Sequence, residues 1–186
     1  MSEPTRGAAP DILQIRIAQT AQLFNMLDPC PFGERDLDPA AEAYLVEWVE
    51  ELPKASPLRL VVRMPAEEAD SPEAGGIPDA VRNYFAGRAA EMTRELRELF
   101  RVGRISLVIG LCVLGLCLLL AQAISGRFGE ARFVSFAEES LVIVGWVANW
   151  RPIEIFLYDW WPLVRQRRIF TRLSRADVEV RAEADD

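Results

Sequence analysis

The sequence predicts an α+β membrane protein. A small β-α-β-α cytoplasmic domain, with a C-terminal strand as its candidate closing element, is joined to a two-helix transmembrane hairpin. Three observations predict it. The run ISLVIGLCVLGLCLLLAQAI, Ile105 to Ile124, is 20 residues without a charge. At 1.5 Å per residue that matches a hydrocarbon core of about 30 Å. A second apolar run starts at Leu141 and reaches crossing length only if it extends to Leu163. The first hundred residues alternate β-branched runs with helical periodicity, the pattern of a small mixed domain.

The elements follow in order. Residues 1–10 are polar and Pro-bearing, with no basic start before a hydrophobic core, so they predict a flexible cytosolic tail and no secretory signal. DILQIRIA, from Asp11, reads as a strand, followed by the Pro- and Gly-punctuated loop LDPCPFGERDLDP. Asp38 then suits an N-cap and Pro39 a first helical turn. The helix they open carries Ala41, Tyr44, Leu45, Trp48, Val49 and Leu52 as an apolar stripe. PLRLVVRM, Pro57 to Met64, is a second strand, and PAEEADSPEAGG is expected to be an exposed acidic linker. From Pro78 a second helix is expected, with Val81, Phe85, Ala89, Met92, Leu96 and Leu99 on its apolar side, able to run unbroken into the first membrane helix. The tail segment ADVEVRAE, Ala176 to Glu183, alternates Val178 and Val180 with charges, a short strand signal. The organisation expected is a tail (1–10), a cytoplasmic domain (11–100), a hairpin (101–164, helices about 105–124 and 141–163) and a basic segment with the closing strand (165–186). A strand, crossover helix and strand imply a parallel pair. So thin a core predicts a homo-oligomer.

Charge sets orientation and removes function classes. Arg94, Arg97, Arg101 and Arg104 precede the first apolar run, and Arg165, Arg167, Arg168, Arg172 and Arg175 follow the second. The linker between them has only Arg127 and Arg132. This bias predicts both termini in the cytoplasm of a bacterium, the linker outside, and the inner membrane as location. Residues 1–100 hold 18 acids against 10 bases, which argues against a nucleic-acid partner and leaves the acidic domain as a face for a protein partner. With no histidine, triads of the Ser-His-Asp or Cys-His type are excluded within this chain. Cys30, Cys112 and Cys117 form neither a disulfide framework nor a zinc site. The loop acids Glu34, Asp36 and Asp38 lack the glycine and terminal glutamate of a calcium loop, and no Walker or dinucleotide motif is present. No cofactor, metal or catalytic group is expected. Gly110 and Gly115 are five apart, so they do not make a GxxxG pair, while Gly145 in the second helix suits close packing.

The segment GWVANWRPIEIFLYDWWPLVRQRR, Gly145 to Arg168, poses the main question, because charges in the bilayer centre cost about 2.5–3.5 kcal/mol each. Three placements answer it. The helix spans straight through and Arg151 pairs with Glu154 at i,i+3, a candidate functional pair. Or it bends at Pro152 and lies along the interface on a face made of Ile153, Phe156, Leu157, Trp160 and Val164. Or it crosses with a tilt, and the aromatic group marks the headgroup level. Trp150, Tyr158, Asp159, Trp160, Trp161, Arg165, Arg167 and Arg168 are the expected interfacial anchors, with the lipid bilayer as partner.

LFNMLDPCPF with RDLD, and WRPIEIFLYDWWP, resemble a family of bacterial membrane proteins with two transmembrane helices. That likeness spans most of the chain and implies the architecture, but no activity and no site residues. The domain-plus-hairpin plan is also similar to that of the mitochondrial calcium uniporter family, whose Trp-Asp-x-x-Glu-Pro motif sits on the side of the short linker. Here Trp150-Arg151-Pro152-Ile153-Glu154 departs in order and in side, so the uniporter activity does not carry over. The function expected is a non-enzymatic, oligomeric, membrane-anchored interaction or scaffold module. The alternative is a homo-oligomeric ion or small-solute channel with Arg151 and Glu154 near its path.

Overall fold

The computed structural model describes residues 11–53, 56–128 and 132–183. The tail expected over 1–10 lies outside the described residues, as does the middle of the linker, 129–131. The fold mixes helix and sheet, with three parallel strands and two long apolar helices. It divides into two compact units: Met1–Glu91 with Arg165–Asp186, and Met92–Val164.

The first unit holds β1 (Asp11–Arg16), α1 (Pro39–Glu51), β2 (Leu58–Met64), α2 (Ala66–Ala69), the start of α3 (Pro72–Phe128), the end of α6 (Trp160–Leu173) and β3 (Asp177–Ala182). The sheet order is β1-β2-β3, parallel throughout, with Leu13, Leu60 and Val178 in one row and Ile15, Val62 and Val180 in another. β2 is central. Leu60, Val61, Val62 and Met64 are all buried, a near-continuous apolar strand rather than an alternating one. β3 is the strand signalled by Val178 and Val180, and it pairs across 118 residues of chain, with Arg59 Nε donating to Asp177 Oδ2 at 3.0 Å.

Local chemistry explains the helix starts. The Asp38 carboxylate accepts from the Ala40 N–H at 2.8 Å, with Pro39 in the first turn. Leu45 and Val49 are buried, but Tyr44 is 51% exposed, so the buried stripe of α1 is narrower than its apolar pattern. The acidic linker is not a linker. α2 occupies Ala66–Ala69, and α3 begins at Pro72, not Pro78. The Ser71 hydroxyl accepts from the Ala74 N–H at 3.1 Å, and Ala74 and Ile77 are fully buried. Gly76 is the residue that allows this. A Cβ there would meet the Phe32 ring at 3.0 Å.

A polar network ties α1 to α3. Glu42 accepts from Tyr84 Oη at 2.7 Å and from Arg88 Nε at 3.0 Å. Arg88 also bonds Glu91 at 3.0 Å and lies 5.3 Å from the Phe170 ring centre. Burial and the Glu42 carboxylate push the Tyr84 phenol well above its usual range. The loop before α1 is closed by Asn25 N–H to Asp36 O at 2.8 Å and Asp38 N–H to Leu23 O at 3.0 Å. Inside it, Asp28 accepts from the Asp36 N–H at 2.8 Å and the Cys30 N–H at 3.0 Å, which holds its carboxyl below the usual range. Among the described residues no three His, Cys, Asp or Glu side chains converge as metal ligands.

Candidate functional site: a charged cluster beside paired apolar helices

The second unit is two antiparallel helical stretches. One is α3 from Met92 onward. The other joins α4 (Arg132–Ala148), α5 (Trp150–Glu154), a π-helical turn (Ile155–Asp159) and the start of α6. On α3 beyond Met92 the covered positions are Gly103, Gly110, Cys117 and Ala121, spaced seven, seven and four apart, the spacing of a left-handed helix pair. On the second stretch they are Gly145, Pro152 and Ile155.

Glycines and one amide set the separation. A Cβ on Gly103 would lie 2.8 Å from Ile155, one on Gly110 would lie 2.7 Å from Asn149 Oδ1, and one on Gly145 would lie 2.6 Å from Leu114. Asn149 Nδ2 donates to Gly110 O at 3.1 Å and to Gly145 O at 2.9 Å. Gly115, by contrast, has nothing within 4 Å and takes no part. Asn149 is a site residue that the sequence reading passed over. Its only signal was an amide inside an apolar run.

These contacts fix depth along the pair. Asn149 is level with Gly110, and Ile155 and Phe156 are level with Gly103 and Phe100, whose ring stacks on Phe156 at 6.1 Å. Arg151 therefore lies about three residues inside the start of the uncharged run at Ile105, about 4.5 Å. Glu154 stands at its edge and Asp159 beyond it.

Arg151 Nη1 bonds Glu154 Oε2 at 3.2 Å and Asp159 Oδ2 at 3.2 Å. Trp150 Nε1 donates to Glu154 Oε1 at 2.9 Å, and Trp160 Nε1 to the Phe156 carbonyl at 2.9 Å. So Asp159, expected only as an interfacial anchor, joins the Arg151–Glu154 pair. The π-turn is the reason. It adds one residue to a turn and so advances everything after it by about one residue's rotation. Pro152 and Ile155 are buried, whereas Ile153, Phe156 and Leu157 are exposed. The side chains of Arg151, Glu154 and Asp159 are 62%, 38% and 32% exposed, so in a single copy the cluster lies on the surface. Tyr158 and Trp161 are exposed as well. In the first unit Arg165 Nη2 bonds Glu50 at 3.2 Å, so it holds α6 to α1. Among the described residues the side chains of Arg167 and Arg168 make no ion pair, and the Arg167 carbonyl accepts from the Thr171 hydroxyl at 2.7 Å.

Fold and cluster together define a mixed helix-and-sheet chain with two helices long and apolar enough to cross a membrane, Pro72–Arg127 and Ser135–Leu173. No family model, curated protein or solved structure matches the chain.

Proposed function

We propose that the chain is a non-enzymatic, homo-oligomeric protein of the bacterial inner membrane, anchored by its two apolar helices, with the mixed unit as a cytoplasmic interaction module. The observation that carries this reading is the uncovered apolar surface of both helices, only 17% of whose most apolar windows is buried. Sheet topology supports two crossings. β3 pairs with β2, so the segments before and after the two helices share one side of any membrane. The arginine bias makes that side the cytoplasm. Oligomerisation is supported by the second helix. Its uncharged stretch, Ser140–Trp150, covers about 16 Å, half of a hydrocarbon core. Glu139 and Arg151 flank that stretch exposed, and another copy would cover them. Native mass spectrometry of the chain in nanodiscs tests this. A defined oligomer is expected, and a monomer that co-purifies with no partner overturns it.

A channel is the second reading, favoured by the net negative charge of Arg151, Glu154 and Asp159. Its position at the end of the span, with Trp150 and Trp160 bonded beside it, fits anchoring better. Liposome flux that Glu154→Gln abolishes would restore the channel.

A further inference from the structure

We infer that the outer face of α3 binds an anionic phospholipid, its phosphate held by Arg97, Arg101 and Arg104. The inference rests on the membrane reading above. The three arginines are spaced i, i+4, i+7, which aligns them in one stripe. At 100° per residue they lie about 100–160° around the helix from Gly103, away from the paired second stretch. All three are exposed. Arg97 and Arg104 make no ion pair among the described residues, and Arg101 reaches Glu98 only at 3.7 Å. At 100° per residue Glu95 lies on the far side of the helix, and Glu98 on the adjoining flank beside Arg101, so acid and arginine do not alternate within the stripe.

Depth fits a headgroup. Arg104 adjoins Ile105, and Arg101 stands about 6 Å out from Ile105. A headgroup layer is about 5–7 Å thick on each side. Arg97 lies about 12 Å out, and its long stem reaches back toward the layer. Below the arginines the same stripe continues as Val108, Gly115 and Leu119. Val108 and Leu119 are exposed, and space is open above Gly115. A charged head above an apolar track is the complement of a phospholipid with an acyl chain. A second copy is a poorer occupant, because a symmetric contact through this stripe sets arginine against arginine.

The test floats the full chain with vesicles of phosphatidylcholine alone or with added phosphatidylglycerol, then measures lipid retention by native mass spectrometry. Inorganic phosphate is the soluble competitor. Expected are flotation with both vesicles, retention of phosphatidylglycerol, and no displacement by millimolar phosphate. Arginine near an anionic surface is worth about fivefold in affinity, so Arg97→Gln, Arg101→Gln and Arg104→Gln together should cost about a hundredfold. A charge-conserving exchange, Glu98→Arg with Arg101→Glu, should also lose the preference. Failure to float with phosphatidylcholine overturns the membrane reading itself. Flotation without preference for the anionic lipid, or a preference that the exchange leaves intact, overturns the lipid site alone.

Discussion

Gly110→Ala tests the helix pairing most directly. The added methyl would stand 2.7 Å from Asn149 Oδ1 and 3.0 Å from the Ala148 carbonyl oxygen. Neither can yield freely. The amide is held by its bonds to Gly110 and Gly145, and the carbonyl is backbone. Overpacking of this kind costs about 1–3 kcal/mol. Loss of the Asn149–Gly110 bond adds about 0.6 kcal/mol, typical of hydrogen bonds between membrane helices. Against this, alanine gains at most about 1 kcal/mol of helix propensity over glycine. The net expectation is a loss of about 1–2 kcal/mol. Gly115→Ala is the matched control. It makes the same chemical change on the same helix into open space, so it should be neutral or stabilising. Unfolding in mixed micelles of a mild detergent with increasing dodecyl sulfate, followed by tryptophan fluorescence, reads both variants. Equal costs at the two glycines, or no cost at Gly110, would refute the pairing.

Four further outcomes are expected. Glu42→Ala strips partners from Tyr84 and Arg88 and should cost about 2–3 kcal/mol, read by chemical denaturation of the full chain. Met64→Ala, at a fully buried position of the central strand, should cost about 2–5 kcal/mol by the same measurement. Because folding lowers the pKa of Asp28, its support for the loop is complete above the ordinary carboxylate range and is lost as pH falls through its folded value. Protection of the Cys30 and Asp36 amides, their exchange relative to the unstructured rate at the same pH, should therefore fall below about pH 4, and Asp28→Asn should remove that pH dependence. Last, a membrane-impermeant maleimide should label the exposed Cys30 in inverted vesicles but not in right-side-out ones, and should leave Cys112, inside the apolar run, unmodified. Labelling from the opposite side would reverse the orientation.

Much of the fold is legible where one residue type does one local job. Asp38 and Pro39 mark α1, Val178 and Val180 mark β3, and Ile105–Ile124 marks the apolar helix. The misreadings share a physical cause. Pro72, Gly75, Gly76 and Pro78 look like punctuation, yet burial of Ala74 and Ile77 and close approach at Gly76 hold that stretch helical. Tertiary packing outweighs local propensity there. Of the candidate site, the i,i+3 relation of Arg151 and Glu154 follows from spacing. The inclusion of Asp159 does not, because a π-turn changes the phase and leaves no mark in a 3.6-residue pattern. Asn149 escaped notice because its importance lies in two carbonyls, one of them 39 residues away.

The place of β3 in the chain has a consequence for biogenesis. Its partner β2 leaves the ribosome early, while β3 follows more than a hundred residues later, after both apolar helices. Until then β2 offers a bare strand edge, a template for wrong pairing. So long-range a closure is intrinsically slow. A chain whose second helix fails to bring the C-terminus back could never seal that edge. On the proposed two-crossing topology the last strand would work as a checkpoint: only a molecule that brings its C-terminus back finishes its sheet, and one that does not keeps an open edge for proteases to find.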